Sequence, residues 1–309
     1  MVTVVSLSPA VDKIYFVDDF MPGGLFRVGR AIKSAGGKGV NVARVASVIG
    51  ADVGTIGFVA GDTGRWIDLE LKKLGIKTDF IKISGESRTN INIIDRVKNT
   101  ETEVLETGPV TSASDLDEFI CLLEKTLPTT HVLICSGGLP EGATEDFYRI
   151  IIEIANRHGV KTILDSSGFR LSEGIKARPY LIKPNTRELC QLSGRKLENI
   201  EQIIEACRHV NHQGVEFVVA SMGSQGAVMV SEKITARVVI PRIAIVNTIG
   251  SGDSMVGGMA AGISKGMEPL DFLKLGTACA IVNTLFEEVG YIEKDMVYEY
   301  IEKIEIEVL

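Results

Sequence analysis

The sequence predicts an α/β fold: a doubly wound, mostly parallel central sheet with helices on both faces, plus a small projecting β-sheet. First, short strands and amphipathic helices alternate from residue 113 to residue 220, which is typical of a parallel sheet. Second, the apolar, β-branched run at residues 2–7 indicates a buried first strand. Third, two polar, turn-rich segments, at about 11–33 and 86–104, interrupt the alternation.

Each element follows from a local pattern. Apolar residues at helical spacing predict helices at 39–49 and 63–74, each followed by a glycine that ends it. Short apolar runs predict strands at 53–59, 131–135, 162–164, 180–182 and 217–220, with further extended pieces at 78–83 and 89–97. Helices are predicted at 113–127, 144–158, 169–177, 186–192 and 200–212. A terminal antiparallel hairpin is expected at 228–230 and 235–240, followed by two closing helices that start at Ser251 and Pro269.

The two interrupting segments are interpreted as strands of one small sheet beside the main domain, which we call the lid sheet. A lid can exclude water from a ligand site. Because the edges of such a sheet need pairing or cover, a homodimer through the lid sheet is a further expectation. No repeat or low-complexity linker divides the chain, so residues 1–309 are expected to form a single domain with this lid.

Composition narrows the class of partner. The net charge of −7 argues against binding to nucleic acid or to an acidic membrane. No apolar run approaches the roughly 20 residues that span a bilayer, and the first 20 residues lack a signal-peptide pattern, so a cytoplasmic protein is expected. Residues 20–51 contain no acidic residue but five basic ones, which indicates either a basic pocket for a small anion or a solvated basic face.

The segment Gly250-Ser251-Gly252-Asp253 precedes a helix of small residues near the end of the chain. Glycines allow a ligand to approach the backbone closely, and the N–H groups of a first helical turn attract phosphate. A carboxylate beside a phosphate site suits a base that accepts a proton during phosphoryl transfer to a hydroxyl. The alternative is that Asp253 only caps the helix. A dinucleotide fingerprint and a Walker A loop are both excluded, because Met255 stands where the third glycine belongs and Gly37-Lys38 is followed by Gly39.

Polar residues also follow several predicted strands at their carboxyl ends, where ligands gather in a doubly wound sheet. Asp12 follows the first strand, and Asp165 follows the strand at 162–164. Polar or glycine-rich segments at 136–140, 183–188 and 221–226 follow three others. Their common position at one edge of the sheet predicts a single ligand site.

Two motifs together identify a family resemblance. The segment 36–43, Gly-Gly-Lys-Gly-Val-Asn-Val-Ala, and the segment 250–254, Gly-Ser-Gly-Asp-Ser, resemble the two signatures of the ribokinase-like PfkB carbohydrate kinase family. The resemblance runs from the first strand to the final helices. The segment 8–12, Ser-Pro-Ala-Val-Asp, and Lys38 are similar to the branch that acts on phosphorylated ketohexoses, which includes 1-phosphofructokinase and tagatose-6-phosphate kinase.

The resemblance implies roles for individual residues. Asp253 would be the general base, and the backbone of Gly250, Ser251, Gly252 and Asp253 would stabilise the transferring phosphoryl group. Sugar hydroxyls would contact Asp12, Gly37 and Asn41, while Lys38 and Arg88 would bind the phosphate of the sugar, with Arg27 as a further candidate from the lid. ATP would be the phosphoryl donor, held by Lys183, Asn185, Ser221, Gly223, Gly226 and Asn283. Mg²⁺ would be positioned largely through water by Asn185 and Glu188.

The leading interpretation is ATP-dependent phosphorylation of fructose 1-phosphate to fructose 1,6-bisphosphate. Tagatose-6-phosphate kinase is the nearest alternative, since it performs the same chemistry on another ketohexose phosphate. A kinase of nucleosides or unphosphorylated sugars is disfavoured by Lys38 and Arg88. A non-catalytic sugar-phosphate-binding protein is disfavoured by the presence of Asp253.

Overall fold

The structure is a computed structural model that describes residues 1–309. Its strands are β1 Val2–Ser6, β2 Ala10–Phe16, β3 Ala31–Gly36, β4 Val53–Ala60, β5 Lys77–Ile83, β6 Arg88–Asp95, β7 Thr100–Leu105, β8 Val132–Ser136, β9 Lys161–Asp165, β10 Leu181–Ile182, β11 Phe217–Ser221, β12 Ala227–Val230, β13 Thr235–Val239 and β14 Glu305–Val308. Its helices are α1 Lys38–Val48, α2 Gly61–Lys73, α3 Ala113–Thr126, α4 Phe147–Arg157, α5 Gly168–Lys176, α6 Thr186–Ser193, α7 Ile200–Asn211, α8 Ser251–Ser264, α9 Pro269–Asn283 and α10 Lys294–Lys303.

The main sheet has the order β14-β13-β12-β11-β10-β9-β8-β1-β4-β5. The adjacent strands β11, β10, β9, β8, β1, β4 and β5 run parallel to one another. Strands β12, β13 and β14 continue the sheet beyond β11, each antiparallel to the strand before it. Every residue of β1 and of β8 is buried, because helices cover both faces of the sheet. The predicted α/β class with a mostly parallel central sheet is therefore confirmed.

Two apolar cores lie on opposite faces of the main sheet. Apolar side chains of α1, α2, α8, α9 and α10 fill one core, and those of α3 to α7 fill the other. Helices α8 and α9 pack closely because glycines of both replace larger side chains: a Cβ on Gly258 would lie 2.8 Å from the Cα of Gly276. None of the helices combines the length and apolar character that crossing a membrane requires.

The second sheet has the order β3-β2-β6-β7. Strand β2 pairs in parallel with β6, and the outer strands β3 and β7 are antiparallel to their neighbours. The predicted small second sheet is therefore confirmed, although β3 extends to Gly36 and so includes the start of the first motif. Residues 17–30, between β2 and β3, form no strand.

The end of the chain differs from the expectation. The hairpin of β12 and β13 forms, but it is not the edge of the sheet, because β14 pairs with β13. Helix α10 and β14 follow the two helices that were expected to close the domain.

Candidate active site

A cavity of about 1400 Å³ lies between the two sheets and the N-terminal end of α8. The carboxyl ends of β1, β8 and β11 contribute to its wall, as do residues of β2 and β6 from the lid sheet. Its lining includes most of the site residues that the sequence predicted: Asp12, Gly37, Lys38, Asn41, Arg88, Lys183, Asn185, Glu188, Ser221, Gly223, Gly226, Gly250, Ser251, Gly252 and Asp253. The topology thus brings the two sequence motifs to one site.

Two predicted residues lie elsewhere. Arg27 is exposed, in the segment without strand structure, and does not line the cavity. Asn283 is fully buried at the end of α9 and also lies outside the lining. Its Nδ2 donates to the carbonyl of Ile249 (2.8 Å), and its Oδ1 accepts from the amide of Gly290 (2.8 Å) and from Ser254 Oγ (3.1 Å). Asn283 therefore braces the loop before α8, and these hydrogen bonds of its side chain are all made within the protein.

The first turn of α8 is shaped by Gly250. This residue is left-handed, with φ +77°, and a Cβ there would lie 2.7 Å from Val289 Cγ1, so only glycine fits without rearrangement. The amide of Ser251 donates to the carbonyl of Thr248 (3.3 Å). The amides of Gly252 and Asp253, in the first turn of the helix, have no carbonyl acceptor within the helix. A Cβ on Gly252 would lie 3.2 Å from Lys183 Nζ, so its absence leaves room for the lysine beside the turn.

Asp253 is buried in this turn, and its Oδ2 accepts a hydrogen bond from Asn41 Nδ2 at 2.9 Å. Burial raises the pKa of Asp253 to about 6, although nearby Lys38 and the bond from Asn41 act in the opposite direction. The capping alternative predicts that the side chain of a residue preceding the helix accepts a backbone N–H. Asp253 instead lies inside the first turn, where Gly250 is the cap residue, and no side chain caps the helix. Its carboxylate is therefore available to the cavity.

Asp165, at the end of β9, is a second buried carboxylate beside the cavity. Its Oδ1 lies 3.2 Å from Lys183 Nζ and its Oδ2 lies 3.7 Å from Lys38 Nζ. Burial alone would raise the pKa of Asp165, but Lys183 and Lys38 hold it below its ordinary value. The pKa of Lys38 is raised in turn, chiefly by Asp165. The sequence pointed to Asp165 as a residue at a strand end, but did not predict that it joins two lysines from different motifs.

Asn185 and Glu188 form a capping box at the start of α6. Glu188 N–H donates to Asn185 Oδ1, and Asn185 N–H donates to Glu188 Oε2, each at 2.9 Å. Both residues line the cavity, and one oxygen of each side chain already accepts a backbone N–H of the capping box.

On the lid side, Arg88 donates from Nε to the carbonyl of Ser8 (3.2 Å) and from Nη1 to Asn90 Oδ1 (2.9 Å). Asn90 also donates from Nδ2 to Asp12 Oδ1 at 2.8 Å. Burial lowers the pKa of Arg88, while Asp12 acts in the opposite direction. Asn90 was not predicted from the sequence, where only its place two residues after Arg88 on one strand face could have indicated it.

Comparison with known families shows to which family the chain belongs. The family model "pfkB family carbohydrate kinase" matches residues 1–291. The chain belongs to this family. As a pfkB carbohydrate kinase it is a phosphotransferase that acts on a sugar hydroxyl, and membership of a kinase family implies ATP as the phosphoryl donor.

Individual members of the pfkB family are similar over their full length. A tagatose-6-phosphate kinase from Staphylococcus epidermidis is 37% identical, and the match covers 99% of each chain. The structure of a possible 1-phosphofructokinase from Thermotoga maritima has a TM-score of 0.90 at 26% identity, covering 100% of this chain and 99% of the other. That of Escherichia coli phosphofructokinase-2 in complex with potassium also has a TM-score of 0.90, at 25% identity and 98% coverage of both chains.

Proposed function

We propose that this pfkB kinase transfers the γ-phosphoryl group of ATP to a hydroxyl of a ketohexose phosphate, with Asp253 as the general base. The observation that carries this proposal is the buried carboxylate of Asp253 in the first turn of a helix that faces the cavity. A base with a pKa of about 6 is mostly ionised at neutral pH, yet still accepts a proton in the transition state.

In the proposed reaction, Asp253 takes the proton of the sugar hydroxyl as its oxygen bonds to the γ-phosphorus. The bond between that phosphorus and the bridging oxygen of ADP breaks, and the electron pair leaves with ADP. Backbone N–H groups of Gly250, Gly252 and Asp253 would stabilise negative charge on the transferring group. Ser251 has a smaller part in this proposal, because its amide already donates to Thr248.

The sugar phosphate would occupy the side of the cavity beneath the lid sheet. Asn41 supports this placement, because it lines the cavity and its Nδ2 donates a hydrogen bond to Asp253. Asp12 and Gly37 would complete the hydroxyl contacts. Lys38 and Arg88 would bind the phosphate of the sugar, whereas Arg27, the further candidate from the lid, is exposed and lies outside the cavity lining.

ATP would occupy the opposite side, between α6, the end of β11 and α9. Lys183 would approach the phosphates next to Gly252, and Asn185, Ser221, Gly223 and Gly226 would line the nucleotide groove. In place of Asn283, apolar and small side chains of the cavity wall suit an adenine ring: Ile243, Thr277, Ala280 and Ile281.

The site also suits Mg²⁺ that arrives with ATP, which would neutralise charge on the phosphates. Mg²⁺ prefers oxygen ligands and usually keeps several waters. Direct ligation by Asn185 Oδ1 and Glu188 Oε2 would disrupt the capping box, because both oxygens accept backbone N–H groups. Contact through water leaves the box intact, so these residues fit a water-mediated role.

Two substrates remain in the proposal. The sequence interpretation ranks fructose 1-phosphate first, whereas the 37% identical relative is named for tagatose 6-phosphate. Both acceptors yield a 1,6-bisphosphate, and the cavity presents the same cations to either.

A substrate panel tests the proposal. Initial rates of ADP formation would be measured with fructose 1-phosphate, tagatose 6-phosphate, fructose 6-phosphate, ribose and adenosine, with Asp253→Asn as the matched control of low activity. We expect a ketohexose phosphate to give the highest kcat/KM. A higher value for ribose or adenosine would overturn the proposed substrate class, and binding of sugar phosphates without any turnover would favour a non-catalytic binding protein.

We also propose that the lid sheet mediates a homodimer. Strand β7 is an outer strand of this sheet, and its Val104 and Leu105 are 53% and 58% exposed. An exposed apolar edge is a ready site for pairing. Sedimentation of the wild type and of Val104→Lys should show a dimer that the variant weakens, and a wild-type monomer at all concentrations would contradict this assembly.

A further inference from the structure

Asn90 lies at the centre of the polar face of the lid sheet. It is directly opposite Asp12 in the register of β2 with β6, and it shares a strand face with Arg88. Its side chain lines the cavity. In the proposed function, its neighbour Asp12 contacts a sugar hydroxyl, and its neighbour Arg88 binds the phosphate of the sugar.

The orientation of the Asn90 amide is determined by its partners. The guanidinium of Arg88 can only donate, so the contact at 2.9 Å requires Asn90 to present Oδ1 to Arg88. The NH₂ group then faces Asp12 and donates to its Oδ1 at 2.8 Å. Reversing the amide would place an NH₂ group against the guanidinium and a carbonyl oxygen against a carboxylate.

Asp12 is held on its other side by the backbone of the first motif. Its Oδ2 accepts from the amide of Gly37 at 3.3 Å. A Cβ on Gly36 would lie only 1.9 Å from this oxygen, so the carboxylate rests against bare backbone. With Gly37 on one oxygen and Asn90 on the other, the carboxylate plane of Asp12 is fixed.

We propose that Asn90 is a positioning residue that orients Asp12 and thereby determines which sugar hydroxyl configuration the site accepts. This inference rests on the proposed function, because it assigns Asp12 to a sugar hydroxyl. A fixed carboxylate accepts hydroxyls only along the lone-pair directions that Asn90 and Gly37 leave free. A hydroxyl of the opposite configuration leaves an acceptor unpaired. Because Arg88 also holds Asn90, binding of the sugar phosphate would stabilise this orientation.

The test uses two substitutions that separate the contact of Asn90 with Asp12 from its contact with Arg88. Asn90→Ala removes the donor to Asp12 and should raise KM for the sugar phosphate about tenfold, the scale of one hydrogen bond to a charged group. The KM for ATP and kcat should change little. Asn90→Asp retains an acceptor for Arg88 but places a carboxylate against Asp12. If Asn90 only braced Arg88, Asn90→Asp would be the milder change; the proposal predicts that it is the more severe one.

Discrimination between epimers separates positioning from a simple charge effect. The ratio of kcat/KM for the preferred ketohexose phosphate to that for its epimer, such as the 6-phosphates of tagatose and fructose, should fall toward unity in both variants. Added negative charge alone would weaken the binding of both epimers equally and leave this ratio unchanged. Asn99→Asp is the matched control, since Asn99 is exposed in the turn after β6 at φ 52° and lies outside the cavity lining.

The outcomes are distinct from those of the proposed function. If the wild type phosphorylates no ketohexose phosphate, the proposed function itself fails. If the wild type is active but both Asn90 variants keep its KM and its epimer ratio, the positioning role is overturned. An equal rise in KM for ATP and for the sugar phosphate in both variants would likewise overturn it, because it would indicate a general structural defect.

Discussion

The end of β9 and the first turn of α8 each carry a buried aspartate beside the same cavity, but the two have different surroundings. Asp165 lies between Lys183 and Lys38, and these cations hold its pKa below the ordinary value. Asp253 accepts a hydrogen bond from the neutral side-chain amide of Asn41, and burial raises the pKa of Asp253 to about 6. The pKa values of these two buried carboxyls therefore shift in opposite directions, because Asp165 pairs directly with two ammonium groups whereas Asp253 has no direct ion pair.

On the basis of this difference, we propose different tasks for the two carboxylates. A carboxylate whose pKa lies near the working pH can accept and release a proton, whereas one held ionised by two lysines is a poor base. Asp165 instead fixes the ammonium groups of Lys38 and Lys183, which come from the two halves of the site.

The largest effect is expected for Asp253→Asn. The substituted amide can still accept from Asn41 but cannot take a proton, so kcat should fall by at least about 10², within the 10²–10⁴ range of general-base catalysis. Dissociation constants for ATP and the sugar phosphate, measured by calorimetry, should change little. A near-normal kcat would remove Asp253 from the role of base.

Asp165→Asn should mainly reduce stability. The change leaves the 5% exposed ammonium of Lys183 without its counter-charge, and breaking a buried pair costs about 3–5 kcal/mol in free energy of unfolding. Urea unfolding would measure it. Asp19→Asn is a suitable control, because its pair with Lys98 is solvent-exposed and such pairs contribute about 0–1 kcal/mol. Equal losses for both variants would contradict the structural role of Asp165.

The sequence predicted most of the fold because parallel strands buried on both faces form mostly apolar runs such as 2–7 and 131–135. It missed β14, whose Glu-Ile-Glu-Val sequence has the charged, mostly exposed character of an edge strand. The contacts of Asp165 and Asn90 were also missed. Asn90 and Asp12 are 78 residues apart in the chain, and only strand register brings them together. Asn283, which the sequence placed near the adenine, is fully buried and lies outside the cavity lining, because a buried asparagine and a ligand-binding one have the same sequence signal.

The pH dependence of kcat should show a weaker but characteristic effect. Because the pKa of Asp253 is raised to about 6, the base is lost as pH falls through that value, and kcat should decline about tenfold per unit below it. Phosphate groups also titrate near pH 6, so the profile of Asp253→Asn serves as the control. Its residual activity should lack this decline, and identical profiles in both enzymes would assign the decline to the substrate.

The smallest effect concerns the stability of the same variant. A carboxyl whose folded-state pKa is raised destabilises the native protein above that pKa, and the penalty disappears below the unfolded-state value. Asp253→Asn should therefore be more stable than the wild type at pH 8, by about 1–3 kcal/mol, since each pKa unit corresponds to roughly 1.4 kcal/mol. The gain should diminish as pH falls from 6 toward 4. A variant less stable at pH 8 would show that the ionised carboxylate stabilises the fold.

The most direct test of the contrast is a crystal structure with the sugar phosphate and a non-hydrolysable ATP analogue. We expect a carboxylate oxygen of Asp253 about 2.6–3.2 Å from the acceptor hydroxyl, the reach of a general base. Asp165 should remain paired with Lys183 and Lys38. An acceptor hydroxyl bound to Asp165, with Asp253 out of reach, would contradict the assignment of the base.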